Sequence, residues 1–349
     1  MKALVKLKKG YGQTEIKDVP EPPLGPNQIK VEIRFCGICG TDVKIYHDEH
    51  AYYRPPLILG HEFSGVVAEV GEGVQNLKLG DRVVMAPPRA GRARSLYGQA
   101  RTPYAGGMRR GFEAEWGLTT YGGFTKYGVY QSELALKLPE NVDLDSAALS
   151  EPLAVCVKGV LENACVHSTD VVVVSGPGPI GLLTAQLARA EGGTVVVLGT
   201  TIDEARLALA KELGADAVVN VEEEDPEAVV LALTGGSGAD VVFECAGVAA
   251  SVSQCMNLAR RWGHYVQIGT SAKIMDIDFA LISYKELSVA GSFGSSGRID
   301  WERGLKLVSM GKVNTKALIS HRLPLSAWHE AFSLLEQKQG VKILLYPDE

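Results

Sequence analysis

The sequence predicts an α/β chain in two parts, an all-β part and a doubly wound parallel sheet, from two observations. Residues 1 to about 150 hold short β-like runs punctuated by glycine and proline, IKVEIRF, FSGVVAEVG, GDRVVMAP and GGFTKYGVY. From Thr169 the pattern becomes apolar runs of four or five residues alternating with helical stretches. Such alternation produces parallel strands with helices on both faces.

Taken in order, MKALVKLKKG alternates apolar residues with lysines and has no long apolar core, so it reads as a half-exposed first strand and not as a signal peptide. A cytoplasmic location is the expectation. In the central part DVVVVSG precedes PIGLLTAQLARAEG, TVVVLGT precedes DEARLALAKELGA, DAVVNV precedes PEAVVLALTG, and ADVVFECAG precedes SVSQCMNLARRWG and HYVQIG. After these, IDWERGLKLVSMG and SAWHEAFSLLEQK read as helices and KILLYP as a strand. No repeat at solenoid period is present.

With 349 residues the chain exceeds the size at which a single core stops growing, so two domains are expected. Hydrophobic content of 46% and charged content of 22% are those of a folded globular protein. A net charge of −6, with no basic stripe beyond Arg89 to Arg110, argues against nucleic acid or an anionic membrane as partner, and no apolar run has transmembrane length. A small-molecule substrate is left. The six cysteines, Cys36, Cys39, Cys156, Cys165, Cys245 and Cys255, show no disulfide framework and read as reduced thiols.

Gly176, Gly178 and Gly181 form GxGxxG between VVVVS and an apolar helix. The first glycine makes the turn, the second admits a pyrophosphate to the backbone, and the third lets helix and strand touch. Between strand and helix, and followed by further units of the same kind, the motif points to a dinucleotide. The next strand ends Leu198-Gly199-Thr200-Thr201 without the acidic residue that holds the adenosine ribose. Asp203 lies in Thr201-Ile202-Asp203-Glu204, which fits a capping box, so it reads either as a helix-start charge or as a ribose contact. With no carboxylate at the tip a 2′-phosphate is not repelled, and Thr200, Thr201 or Arg206 is available to it. NADP or dual use is therefore expected over strict NAD, with Arg206 reading equally as a solvated helix residue.

Cys39 in FCGICGTD, His61 in LGHEFSG and Glu151 in SEPLAV supply a thiol, an imidazole and a carboxylate. These suit Zn²⁺, and three protein ligands leave a fourth position open. Together with a dinucleotide, an open zinc points to alcohol oxidation. Cys36 with Cys39 forms a CxxC pair, but it follows a strand in an all-β setting, so Cys36 reads as a buried strand residue.

CGICGTD, GHEFSGVVAEVGEGVQNLKLGDRVV, EPLAV, GPGPIGLLTAQLARA, RLALAKELGAD and DVVFECAG together resemble the zinc-dependent medium-chain dehydrogenase/reductase superfamily, nearest its sorbitol (polyol) and threonine dehydrogenases. The resemblance spans almost the whole chain. It implies a GroES-like β-barrel catalytic domain, residues 1–152 and 294–349, around a Rossmann NAD(P)-binding domain, residues 153–293, with the active site in the cleft. It also implies zinc ligands at Cys39, His61 and Glu151, with Glu62 as an exchanging fourth ligand or a neighbour of the metal. Thr41 would bind the substrate hydroxyl and start a proton relay. Where many relatives continue that relay with histidine this chain has Lys44, which reads as a substrate contact, a ribose contact or a solvated lysine. On the cofactor side the resemblance implies Pro179 and Ile180 at the pyrophosphate, Arg206 near the adenosine, and Ile268, Gly269, Ser292 and Phe293 near the nicotinamide.

The largest departure is the loop 87–111, where many relatives hold a structural zinc on four cysteines. No cysteine lies between Cys39 and Cys156, so one catalytic zinc and no structural zinc are expected. The arginines of that loop read as a solvated face, a subunit contact or, as the minor reading, a site for a phosphorylated or acidic substrate. A homotetramer or homodimer is expected from the resemblance alone. The expected reaction is reversible oxidation of a secondary alcohol of a polyol or hydroxy-amino compound to the ketone. The alternatives are an NADPH-dependent secondary-alcohol dehydrogenase or ketone reductase of the same fold, and a non-catalytic nucleotide-binding relative.

Overall fold

The structure, a computed structural model, describes residues 1–50, 53–86, 122–271, 276–294 and 297–348. The loop 87–111, with its arginines and the expected lack of a second zinc, lies outside the described residues. The chain forms two compact units: unit 1 is Met1–Glu151, Ser296–Ser309 and Thr315–Glu349, and unit 2 is Pro152–Ser295 and Met310–Asn314.

Unit 1 begins with β1 (Lys2–Lys6) and β2 (Thr14–Asp18), followed by β3 (Gln28–Gly37), α1 (Gly40–Tyr46), β4 (Leu57–Ile58), β5 (Glu62–Val70), β6 (Arg82–Met85), β7 (Tyr127–Gln131) and β8 (Ala135–Lys137). The first strand is not half-exposed as expected. β1 is central in a three-stranded sheet, β2-β1-β4, and Ala3 to Lys6 are all buried. The Lys6 ammonium is reconciled with burial by donating to the carbonyls of Gly10 (2.6 Å) and Tyr46 (3.1 Å). The second sheet follows the order β15 (Ile319–Pro324), β16 (Lys342–Tyr346), β3, β5, β6 and β8, with β7 also on β3. Its ten-residue β3 alternates as the sequence does, burying Ile29, Val31 and Ile33 against Phe63, Val67 and Val83.

Two short helices, α2 (Leu144–Ala147) and α3 (Ser150–Val157), lead into unit 2, and α3 runs on as a π-helix, Lys158–Ala164. Unit 2 alternates β9 (Val171–Ser175), α4 (Pro179–Ala190), β10 (Thr194–Gly199), α5 (Glu204–Glu212), β11 (Ala217–Asn220), α6 (Pro226–Thr234), β12 (Ala239–Glu244), α7 (Ala249–Leu258), β13 (Ala259–Gln267), α8 (Ala280–Lys285) and β14 (Ser288–Gly291). The strands form one parallel sheet, β11-β10-β9-β12-β13-β14. Every residue of β9 is buried, as its unbroken valines require when helices cover both faces. Strand order reverses direction between β9 and β12, the point where such sheets open a crevice beyond their carboxyl ends.

The stretch Ala259 to Gly263, expected to end a helix, instead begins β13. The β12–β13 register shifts between Ala239 and Val241, and Trp262 takes a left-handed backbone with φ of 60°, so the helical pattern cannot continue. The chain returns to unit 1 through α9 (Arg298–Ser309), β15 (Ile319–Pro324), α10 (Trp328–Glu336) and β16 (Lys342–Tyr346).

Candidate active site

Strand register builds the centre of unit 1. β3 and β5 are antiparallel with Gly37 opposite Glu62, so Cys39, two residues beyond Gly37, and His61, one before Glu62, leave the sheet at the same rim. β16 pairs with β3 through Leu344 opposite Gly37, which brings Lys342 to that rim as well. The candidate ligand atoms of Cys39, His61 and Glu62 all lie within 4.8 Å of one another. A Cβ on Gly37 would stand 2.3 Å from Glu62 Oε2, so a larger residue there would displace that buried carboxylate.

Two residues that the sequence reading passed over organise this rim. Asp42, buried in α1, accepts from the Cys39 N–H (2.9 Å) and the Gly60 N–H (3.2 Å), tying together the two segments that carry Cys39 and His61. Its Oδ1 is also 3.9 Å from His61 Nδ1. Burial pushes the Asp42 carboxyl up, against the lowering pull of His61 and the two amides. The second is Lys342, which donates to Glu62 Oε2 at 2.6 Å and to the Ile38 carbonyl at 3.2 Å. Burial pulls the Lys342 ammonium down, but the charges of Glu62 and Cys39 outweigh it and raise it. The sequence held a signal for Asp42, which sits inside CGTD. It held none for Lys342, a lysine in an ordinary strand.

His61 is subject to the same contest. Burial lowers it, while its hydrogen bond with Cys39 and the charges of Cys39, Asp42 and Glu151 raise it well above the ordinary imidazole value. Glu151, buried in the first turn of α3, therefore acts on this centre through its charge, although its carboxylate is not one of the atoms in the 4.8 Å cluster. A thiol, an imidazole and carboxylates form the S, N and O donor set that Zn²⁺ takes. Thr41 and Lys44 are three residues apart on α1, on one face of the helix. Cys36 is buried in the core of unit 1 and burial pushes its thiol well up, as a packing residue requires.

In unit 2 the glycine loop follows β9. Gly176 has φ of +97°, a Cβ on Gly181 would meet the Gly176 carbonyl at 1.9 Å, and Gly178 caps α4 with Pro179 in its first turn. Ile180 follows on α4, where its carbonyl accepts from the Cys156 thiol. Ile268 and Gly269 leave β13 with their N–H groups on the Glu244 carbonyl, at 2.9 and 2.8 Å. Ser292 follows β14, its hydroxyl on the Val155 carbonyl at 3.0 Å, and Phe293 beside it is exposed. All of these sit at the carboxyl edge of the sheet, where dinucleotides bind in such folds.

The adenosine end differs from the expectation. The capping box is Thr200 with Asp203, one residue earlier than expected, and Asp203 accepts from the Thr200 hydroxyl (3.0 Å) and from Arg206 (3.3 Å). Glu222, from beyond β11, accepts from the Thr201 N–H at 2.9 Å. The premise that no carboxylate stands at the tip of β10 is thereby corrected. Thr200, Thr201 and Arg206, the groups expected to take a 2′-phosphate, each hold a carboxylate instead.

The family model described as "Alcohol dehydrogenase GroES-like domain" matches residues 25–140, and that described as "Zinc-binding dehydrogenase" matches residues 179–310. A sorbitol dehydrogenase of Halalkalibacterium halodurans is 39% identical over 99% of both chains. The crystal structure of 2R,3R-butanediol dehydrogenase from Bacillus subtilis superposes with a TM-score of 0.86 at 31% identity, covering 99% of each chain. A zinc-binding dehydrogenase from Sinorhizobium meliloti 1021, solved bound to NADP, superposes with a TM-score of 0.84 at 31% identity over 99% of each chain. This chain belongs to the zinc-dependent medium-chain dehydrogenase/reductase superfamily, of the polyol dehydrogenase type, and is an NAD(P)-linked alcohol oxidoreductase.

Proposed function

We propose that the chain oxidises a secondary hydroxyl of a polyol or a hydroxy-amino compound to the ketone, reversibly, with a single catalytic zinc. The observation that carries this is the rim of unit 1, where a thiol, an imidazole and a carboxylate converge within 4.8 Å. Cys39, His61 and Glu151 are the proposed ligands, with Glu62 as exchanging fourth. Zn²⁺ held there supplies a Lewis acid that makes loss of the hydroxyl proton easier.

The chain's own groups do the remaining work. Thr41 accepts the hydroxyl proton's hydrogen bond and opens its route to solvent, and Lys44, one turn along the same face, contacts the polar substrate. Asp42 keeps the segments of Cys39 and His61 in register, and Lys342 neutralises Glu62. NAD(P), the hydride acceptor, is held by Gly176, Gly178 and Gly181 with Pro179 and Ile180 at the pyrophosphate, and by Ile268, Gly269, Ser292 and Phe293 toward the nicotinamide. The leaning toward NADP loses its premise with Asp203 and Glu222 in view. Residues 1–152 with 294–349 form the proposed catalytic domain, and 153–293 the cofactor domain.

We also propose a homodimer or homotetramer. A cytoplasmic location is supported by six cysteines that are all free thiols. Among the described residues no helix is long and apolar enough to cross a membrane.

The test is absorbance of reduced nicotinamide over a panel of polyols, hydroxy-amino acids and simple secondary alcohols, with NAD or NADP, with and without a zinc chelator. Chelator-sensitive turnover of the polyhydroxylated or hydroxy-amino substrates is expected. Turnover confined to simple alcohols would refute the substrate class, and turnover indifferent to complete zinc removal would refute the metal's part.

A further inference from the structure

The strand that ends at the adenosine position, β10, brings no acid of its own: it closes Leu198-Gly199 and continues Thr200-Thr201. Its neighbour β11 runs parallel with Asn220 beside Gly199, and the Val221 N–H donates to the Gly199 carbonyl at 2.9 Å. The chain leaving β11 therefore travels alongside Thr200 and Thr201. Asn220 Nδ2 donates to Thr201 Oγ1 at 3.1 Å, and Glu222 Oε2 accepts from the Thr201 N–H at 2.9 Å. Glu222 is exposed, and the Thr201 N–H holds its carboxylate.

Three consequences follow from that placement. The Thr201 N–H, a backbone donor that a phosphate oxygen would seek, already faces a carboxylate. The Thr201 hydroxyl and amide hold the Glu222 carboxyl below its ordinary value, so it is ionised at neutral pH. The chain continues Glu223-Glu224-Asp225, all exposed, which deepens the negative potential on this side. On the other side Arg206, the nearest candidate for a phosphate clamp, is held by the buried Asp203. A carboxylate at the tip of the second strand of such a sheet is what accepts the ribose 2′-hydroxyl and repels a 2′-phosphate. Here the strand carries no such residue, and the turn after β11 supplies the group.

We propose that Glu222 is the cofactor-selecting residue of this chain, accepting the adenosine 2′-hydroxyl and rejecting the 2′-phosphate, so that NAD is preferred over NADP. This rests on the reading of unit 2 as a dinucleotide site.

The test is titration of the full-length protein with NAD⁺ and with NADP⁺ by calorimetry, for the wild type, Glu222→Gln and Glu223→Gln. Wild type is expected to bind NAD⁺ at least about tenfold more tightly than NADP⁺ at low salt, with the ratio falling as salt is added, as like-charge repulsion at an exposed site requires. Glu222→Gln is expected to narrow the ratio several-fold by tightening NADP⁺, and Glu223→Gln to move it much less. Wild type binding NADP⁺ as tightly as NAD⁺ would overturn the proposal whatever the variants do. A ratio unchanged in Glu222→Gln, or moved equally by Glu223→Gln, would also overturn it, the latter by reassigning selectivity to a diffuse acidic field. Failure to bind either nucleotide would instead overturn the dinucleotide reading on which the proposal stands.

Discussion

Lys342→Met removes the cation that faces Glu62 while keeping most of the side chain's volume. Both partners are almost fully enclosed, with side-chain exposures of 4% for Lys342 and 1% for Glu62, and their atoms are 2.6 Å apart. Taking one member of such a pair away strands a buried charge, which costs about 3–5 kcal/mol. The Ile38 carbonyl loses its donor in the same step. The folded-state value of Lys342 is raised, so its contribution is complete below the unfolded lysine value of about 10.4 and is lost only as pH rises through the higher folded value. At pH 7 the full effect should be measurable.

Urea unfolding of the chelated protein, followed by fluorescence, reports on unit 1 through Trp301 and Trp328, both buried there. Lys342→Met is expected to lower the free energy of unfolding by roughly 3 kcal/mol or more, and Glu62→Gln with Lys342→Met to recover most of that loss, because a neutral pair strands nothing. A loss below about 1 kcal/mol in the single variant would refute the view that this rim depends on a desolvated ion pair.

Three further outcomes are expected. Cys39→Ser abolishes turnover and lowers bound zinc while nucleotide affinity stays within a few-fold, as enzyme assay, metal analysis and calorimetry would show; retained turnover contradicts the ligand assignment. Gly181→Ala forces a Cβ to within 1.9 Å of the Gly176 carbonyl, so the glycine loop must move and dinucleotide binding should fall by at least about tenfold in titration. Asp81 is nearly buried and is raised by burial, but its bonds from Lys137 and the Lys78 N–H lower it overall. Its contribution is therefore present above the unfolded carboxylate value near 3.9 and is lost as pH falls through its lower folded value. Asp81→Asn should flatten the fall in melting temperature on acidification below about pH 4.

The parallel sheet was legible because unbroken valines, a strand-to-helix glycine loop and amphipathic helices are local signals, each readable within one window. The motifs around Cys39 and His61 were legible as segments. Their convergence was not, since it follows from Gly37 facing Glu62 across β3 and β5, a register that no window of sequence contains. Lys6 belongs to a strand that reads as half-exposed and Lys342 carries no signal of its own, and their burial depends on carbonyls and a carboxylate contributed from elsewhere. The carboxylate beside Thr201 was hidden for the same reason. Thr200 and Thr201 carry no acid, and the carboxylate that meets Thr201 comes from the turn after β11, 21 positions away.

The Glu62–Lys342 bond spans 280 positions of chain. Cys39, His61 and Glu62 are synthesised within one short stretch, yet the lysine that pairs with Glu62 is made only after the whole of unit 2. Until then the Glu62 carboxylate lacks the cation that it faces in the folded chain. Folding of unit 2 in the interval removes much of the freedom of the intervening residues, so the entropy left to spend in bringing Lys342 home is smaller than that of an open loop of the same length. Closure of the Glu62–Lys342 pair is thus left to β16, made after unit 2.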